Sequence, residues 1–171
     1  PAGLETTITV GAVNEDLKRC EYFTGSDKWG SNYGDCALDI MAPGHNIIAT
    51  VQDNGYVTRA GKTSAAAAFV SGVAALVMST DISKFYDTNN NQKWDPDEVE
   101  RKLKVTATKK GFMNEDEYGA GVVNAYKAVI PGYPEIEISP AEWSISDVEI
   151  GSHNEKTFTF KNIGTEDLND V

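Results

Sequence analysis

The spacing of apolar and polar positions divides the chain into two textures. Thr7-Ile8-Thr9-Val10-Gly11-Ala12-Val13 is short and β-branched, and Ala37-Leu38-Asp39-Ile40-Met41 is a second such run, ended by Ala42-Pro43-Gly44. Both predict buried strands. A polar, glycine-punctuated excursion over residues 14–35 separates them, and two further extended pieces, 46–51 and 55–60, flank a turn at Asp53-Asn54-Gly55. A long central helix is expected next. Thr63 or Ser64 stands ready to cap it, Ala65-Ala66-Ala67-Ala68 favours helix, and apolar residues on all sides down to Met78 demand burial. Asp95-Pro96-Asp97-Glu98 opens a second helix through Val99, Leu103 and Val105, with proline and acids in its first turn. A third is expected over residues 121–129, stopped by Pro131. Strands followed by helices predict an α/β fold.

Past Pro131-Gly132-Tyr133-Pro134 the period changes to two, in Glu135-Ile136-Glu137-Ile138, Trp143-Ser144-Ile145 and Thr157-Phe158-Thr159-Phe160-Lys161-Asn162. This predicts a domain over residues 1–131 and, over 132–171, a linker and the first strands of a β-sandwich. An immunoglobulin-like sandwich uses ~7 strands, so the second unit is expected to be truncated.

Charge narrows the partners. Fifteen basic side chains against 26 acidic ones leave a formal net charge of −11, which repels phosphate backbones and anionic membranes and favours cations such as calcium. The apolar stretch over residues 65–78 is shorter than the ~18–20 residues of a membrane span. The opening Pro1-Ala2-Gly3, with no methionine and no signal-type apolar block, is expected to be a cropped or processed edge. Cys20 and Cys36 form no C-x-x-C and have no partner histidines, which argues against zinc. They are expected to form a disulfide worth on the order of 3 kcal/mol, and with it an oxidising compartment, or else to stand as two reduced, half-buried thiols.

Asp87-Thr88-Asn89-Asn90-Asn91-Gln92-Lys93-Trp94-Asp95-Pro96-Asp97-Glu98 has the spacing of an EF-hand loop. Oxygen side chains fall at loop positions 1, 3, 5 and 9 (Asp87, Asn89, Asn91, Asp95), Glu98 is at 12, and Lys93 offers a carbonyl at 7. The departure is Gln92 at position 6, where glycine ordinarily supplies a left-handed turn. The expectation is a calcium ion on these six residues; the alternative is an acidic loop capping the helix that follows.

Thr63-Ser64-Ala65-Ala66-Ala67-Ala68-Phe69-Val70-Ser71-Gly72-Val73-Ala74-Ala75-Leu76 puts a serine at the start of a buried helix. There the helix N–H groups and dipole favour an oxyanion, although on position alone an N-cap serine is the better reading. The stretch resembles the G-T-S-M-A-x-P-H-V-x-G block around the nucleophile of subtilisin-like serine proteases. Other blocks resemble that family in the same order: Val10-Gly11-Ala12, Ser31-Asn32-Tyr33-Gly34, Asp39-Ile40-Met41-Ala42-Pro43-Gly44, Ile47-Ile48-Ala49-Thr50 and Tyr118-Gly119-Ala120-Gly121-Val122-Val123-Asn124-Ala125.

The resemblance implies the C-terminal half of a subtilisin-like parallel-sheet, three-layer domain, with Ser64 as nucleophile. The family's Asp and His motifs and its oxyanion asparagine all precede the V-G-A strand, so the base and acid are expected in a missing N-terminal half. His45 and His153 fall where the family has no catalytic residue. Asp39 matches a family aspartate near a weaker cation site. The nucleophile block departs from the pattern: without a gap, Lys62 replaces glycine, Ala68 proline and Phe69 histidine; otherwise Gly61 is the glycine and Lys62 is inserted. Lys62 also lies where a Ser-Lys pair would need it. Two functions stay open. One is a fragment of a secreted subtilisin-like endopeptidase acting on peptides or proteins, inactive alone; the other is a catalytically dead, calcium-stabilised scaffold for binding or surface display. The tail resembles the opening of the immunoglobulin-like modules of large secreted proteins, which implies an extracellular or cell-surface place.

Overall fold

The computed structural model describes residues 2, 4–23, 29–34, 37–130, 136–139 and 157–162. They fall into two units, Pro1–Val129 and Ile130–Val171. In the first, β1 (Val10–Val13) and β2 (Ile40–Pro43) pair in parallel, with Val10 opposite Ile40 and Val13 opposite Pro43. Both are nearly continuous apolar runs because each sheet face is covered, as parallel pairs require. A parallel bridge from Met41 to Val122 extends the sheet, Met41 N–H donating to the Gly121 carbonyl at 2.8 Å and Val123 N–H to the Met41 carbonyl at 2.8 Å.

Alternate strand residues point to opposite faces, and two cores follow. Ala12, Ile40 and Ala42 join Ala66, Val70, Val73 and Val77 of helix α1 (Lys62–Met78) and Val99 and Leu103 of α2 (Pro96–Val105). Val13 and Met41 join Met113, Tyr118 and Val122 on the other side. Tyr118 closes a one-turn helix, α3 (Glu115–Tyr118), that the sequence reading missed. The helix expected over residues 121–129 is shorter, α4 (Ala125–Val129), because residues 121–123 are drawn into the sheet. Asn124 starts it, its Oδ1 accepting from Lys127 N–H at 3.0 Å while its amide donates to Thr108 Oγ1.

β3 (Ile47–Val51) and β4 (Gly55–Ala60) form an antiparallel hairpin, turned by Asp53 and Asn54, which both take positive φ (63° and 57°). α2 begins with a capping box between Asp95 and Glu98. Around α1 the burial expectation fails on one face: Phe69, Leu76 and Met78 are about half exposed, and Ala68, Gly72 and Ala75 are exposed beside them.

In the second unit β5 (Ile136–Ser139) and β6 (Thr159–Asn162) pair antiparallel, Ile136 opposite Asn162. The run at Trp143 lies outside the described residues.

Candidate active site around Ser64

The turn that presents Ser64 is built from backbone. β2 ends at Pro43, and Gly44 then donates to the Val13 carbonyl at 3.0 Å and accepts from Lys62 N–H at 2.7 Å. A side chain on Gly61 would strike the Gly44 carbonyl oxygen, so the chain entering α1 lies directly on the chain leaving β2. The N-cap is Gly61, with no side-chain hydrogen bond, which corrects the expectation that Thr63 or Ser64 caps the helix. The first-turn N–H groups of a helix have no intrahelical acceptor, and Ser64 sits among them. It is exposed, and among the described residues no hydrogen bond engages its hydroxyl.

Lys62 takes φ 72°, the left-handed region in which a non-glycine residue is uncommon, whereas Gly61 is extended at φ 166°. Glycine is called for at both positions, at Gly61 by the contact with Gly44 and at Lys62 by its backbone angle, so both alignments stay open. Its ammonium does not pair with Ser64. It lies 4.8 Å from the ring centroid of Trp29 and 6.0 Å from that of Phe23. Lys62, Thr63 and Ser64 form one wall of a cavity of about 460 Å³ whose other walls include Phe23, Trp29, Tyr33 and Leu38.

In the excursion between β1 and β2, Arg19 and Ser31 anchor the stretch that carries Tyr33. Ser31 is buried, its Oγ accepting from Ala12 N–H at 2.9 Å. The Arg19 guanidinium donates to the Ser31 carbonyl at 3.0 Å, approaches Glu117 at 3.6 Å and stacks 4.2 Å from the Tyr33 ring. Sequence reading assigned no role to Arg19, Phe23 or Trp29; their one local signal is position, just upstream of Ser31-Asn32-Tyr33-Gly34.

The subtilase family model (peptidase S8) matches residues 1–121. The chain belongs to this family. This subtilase chain is 36% identical over 128 residues to alkaline elastase YaB of Bacillus sp. strain YaB, covering 75% of the chain and 28% of that relative. With subtilisin Savinase of Lederbergia lenta it shares 34% over 128 residues, again 75% of the chain and 39% of the relative. A solved structure, the epidermin leader peptide processing serine protease of Staphylococcus aureus, aligns with TM-score 0.58 and 26% identity over 75% of this chain and 32% of that one. The chain thus spans less than two fifths of the length of these relatives.

No base or acid stands beside Ser64 among the contacts of the described residues. His45 is turned to Glu15, its Nδ1 2.8 Å from Oε2, while Asn46 donates to Oε1 at 2.9 Å. Hydrogen bonds from its own backbone N–H, then from Asn46 and His45, hold the Glu15 carboxyl down at about 2. His153 lies outside the described residues. Asp39 is taken too: Oδ2 accepts from Thr9 N–H at 2.7 Å, and Oδ1 from Lys104 Nζ at 2.9 Å. Burial opposes the Lys104 charge, but the hydrogen bonds to Asp39 and Glu100 outweigh it, so its pKa stands above the ordinary lysine value.

Cys20 is a buried thiol with no bridge among the described residues; Cys36, its expected partner, lies outside them. Burial first, and then the Glu15 charge, push the thiol up to about 11 against the pull of Arg19.

The loop from Asp87 to Glu98 is tightly cross-linked. The Asp87 carboxylate accepts from Asn91 and Gln92 N–H at 2.9 and 3.0 Å. Asn89 and Asn91 donate side-chain N–H to Asp95 Oδ2, and their own Oδ1 atoms accept from Asn91 and Lys93 N–H. Glu98, 3% exposed, accepts from Thr88 N–H at 2.8 Å and Asp95 N–H at 3.0 Å. Gln92 takes φ 59°, so the left-handed turn is made without glycine. Among the described residues no three His, Cys, Asp or Glu side chains gather closely enough to hold a metal ion by themselves.

Proposed function

We propose that the chain carries the nucleophile-bearing half of a subtilisin-like serine endopeptidase domain, with Ser64 as the attacking group on peptides or proteins. The observation that carries this reading is the exposed, unengaged Ser64 hydroxyl in the first turn of α1, beside a cavity. Attack on a carbonyl requires a base to take the Oγ proton and a carboxylate to orient that base. His45 is committed to Glu15, and on this reading both come from an upstream half. The exposed apolar face of α1, Phe69 and Leu76 with the small residues between them, supports such a half packing there. Free N–H groups at the start of α1 would stabilise the oxyanion.

The 171 residues alone are then inactive. Supplying the upstream half should restore fluorophosphonate labelling of Ser64. Robust turnover by the isolated chain, abolished by Ser64→Ala, would overturn the assignment of the base. Absence of labelling in the full-length protein would favour a second reading, a catalytically dead scaffold for binding or surface display. One observation favours that alternative: Lys62 places a side chain and a left-handed backbone beside the nucleophile, where glycine permits close approach of substrate.

Calcium on the Asp87–Glu98 loop belongs to the same proposal. The Asp87 turn and the left-handed Gln92 suit a cation loop, with Asp87, Asn89, Asn91, Asp95 and Glu98 supplying side-chain oxygens and Lys93 a carbonyl. The ion would tie the loop to the start of α2. Since three carboxylates are not gathered, the amides must turn their oxygens inward. Calorimetric titration should give heat for the parent and none for Asp87→Ala; no heat from either removes the ion. The antiparallel pair β5–β6 supports the start of an immunoglobulin-like module, and with it an extracellular or cell-surface place. No helix among the described residues is long and apolar enough to cross a membrane, and the acidic balance speaks against nucleic acid.

A further inference from the structure

Among the described residues, the cavity beside Ser64 has one charged lining group, the Lys62 ammonium. The other described lining residues are aromatic, aliphatic or neutral polar, with Phe23, Trp29 and Tyr33 among them. The ammonium rests over the rings of Trp29 and Phe23, and among the described residues no carboxylate pairs with it. Ring faces attract a cation without neutralising it, so the charge stays available to an incoming anion. The backbone makes the same point. A lysine at φ 72° occupies a conformation that glycine would adopt without strain, and such outliers gather where they serve a site. The whole chain, at −11, repels acidic ligands, so any preference for them must be local.

We propose that this cavity takes a carboxylate of a peptide, next to the bond that Ser64 attacks, and that Lys62 is the specificity-determining residue. The aromatic walls would pack the methylene stem of a glutamate or aspartate, and the ammonium would bind its head. A free C-terminal carboxylate offers the same chemistry. The catalytic meaning rests on Ser64 as nucleophile; the binding preference does not.

The test uses the full-length protein as Ser64→Ala, with fluorescence anisotropy of labelled, end-capped hexapeptides carrying Glu, Gln or Lys at one central position. The Glu peptide should bind roughly fivefold tighter than the Gln peptide at low salt, with the difference shrinking as salt rises. The advantage should vanish in Lys62→Met and in Lys62→Gly, the second of which relaxes the backbone and guards against misfolding. In Lys62→Glu the Lys peptide should bind best. An uncapped Gln peptide that gains the same advantage would identify the chain end as the ligand. Equal binding of Glu and Gln peptides by the parent, a preference that survives in both neutral variants, or no peptide binding at all would overturn the proposal. Fluorophosphonate labelling of the protein with Ser64 intact separates the two readings: no labelling with a persistent Glu preference removes the nucleophile and leaves the carboxylate site standing.

Discussion

Placing a methyl group on Gly44 tests whether the end of β2 positions Ser64. In Gly44→Ala the new carbon would stand 2.5 Å from the Ala12 side chain and 2.8 Å from the Lys62 carbonyl oxygen, against the ~3.5–4.0 Å of a comfortable contact. Neither neighbour has room to retreat. Ala12 is fully buried under α1, and the Lys62 carbonyl belongs to the backbone that leads into Ser64. Overpacking of this kind costs about 1–3 kcal/mol, and stretching the 2.7 Å Lys62–Gly44 hydrogen bond adds ~1 more. The sum, about 2–4 kcal/mol, is a large share of the ~5–15 kcal/mol that holds an ordinary domain. With a urea m-value of about 2 kcal/mol/M, the unfolding midpoint of the full-length protein should fall by about 1–2 M. Displacing the turn by ~1 Å should also slow fluorophosphonate labelling of Ser64 by about a hundredfold in the absence of urea. An unchanged midpoint together with an unchanged labelling rate would refute the claim that this backbone contact sets the serine.

Three further outcomes follow from other sites. Glu98→Ala should destabilise α2 and its loop by about 2–3 kcal/mol, since it strips the Thr88 and Asp95 N–H groups of a buried charged acceptor, and hydrogen exchange at those two amides should accelerate first. Lys104, raised by its carboxylate partners, contributes stability that is complete below the ordinary lysine value and lost as pH rises through its folded value. The melting temperature of the parent should therefore fall toward that of Asp39→Asn as pH rises beyond the ordinary lysine value of about 10.4, and a constant gap would contradict the pairing. Gly72→Ala meets nothing within 4 Å in the described structure, and helix propensity alone would give a gain of about 1 kcal/mol; the proposed packing of an upstream half on this face predicts a loss in the full-length protein, and a gain would mean the face is bare.

Where a local rule had one strong solution, the sequence sufficed. Asp95-Pro96-Asp97-Glu98 declared a helix start with its capping box, and Asp53-Asn54-Gly55 declared a hairpin turn, because both are set by contacts a few residues apart. The order of the family blocks pointed to Ser64. What could not be read were features made by distant segments. An apolar run over residues 65–78 looks buried all round, yet only the stripe Ala66, Val70, Val73 and Val77 is buried here, with Ala74 packed beside it. Residues 121–123 carry helix-compatible side chains but are drawn into the sheet by Met41 and Thr108. The Tyr33 wall of the cavity depends on Arg19 and Ser31 folding the excursion onto β1, and Asp39 is neutralised by a lysine 65 positions away.

The hairpin between β2 and α1 leaves and re-enters the domain at nearly the same point, since Gly44 and Lys62 are hydrogen-bonded across its base and Ile47 pairs with Ala60. Its tip at Asp53 and Asn54 is exposed. Lengthening a loop whose ends are already clamped costs only about 0.6 kcal/mol per doubling. The excursion is therefore a natural port for grafted sequence: a tag, an epitope or a foreign binding loop spliced at the tip would ride a few strand residues from the nucleophile without disturbing its seat.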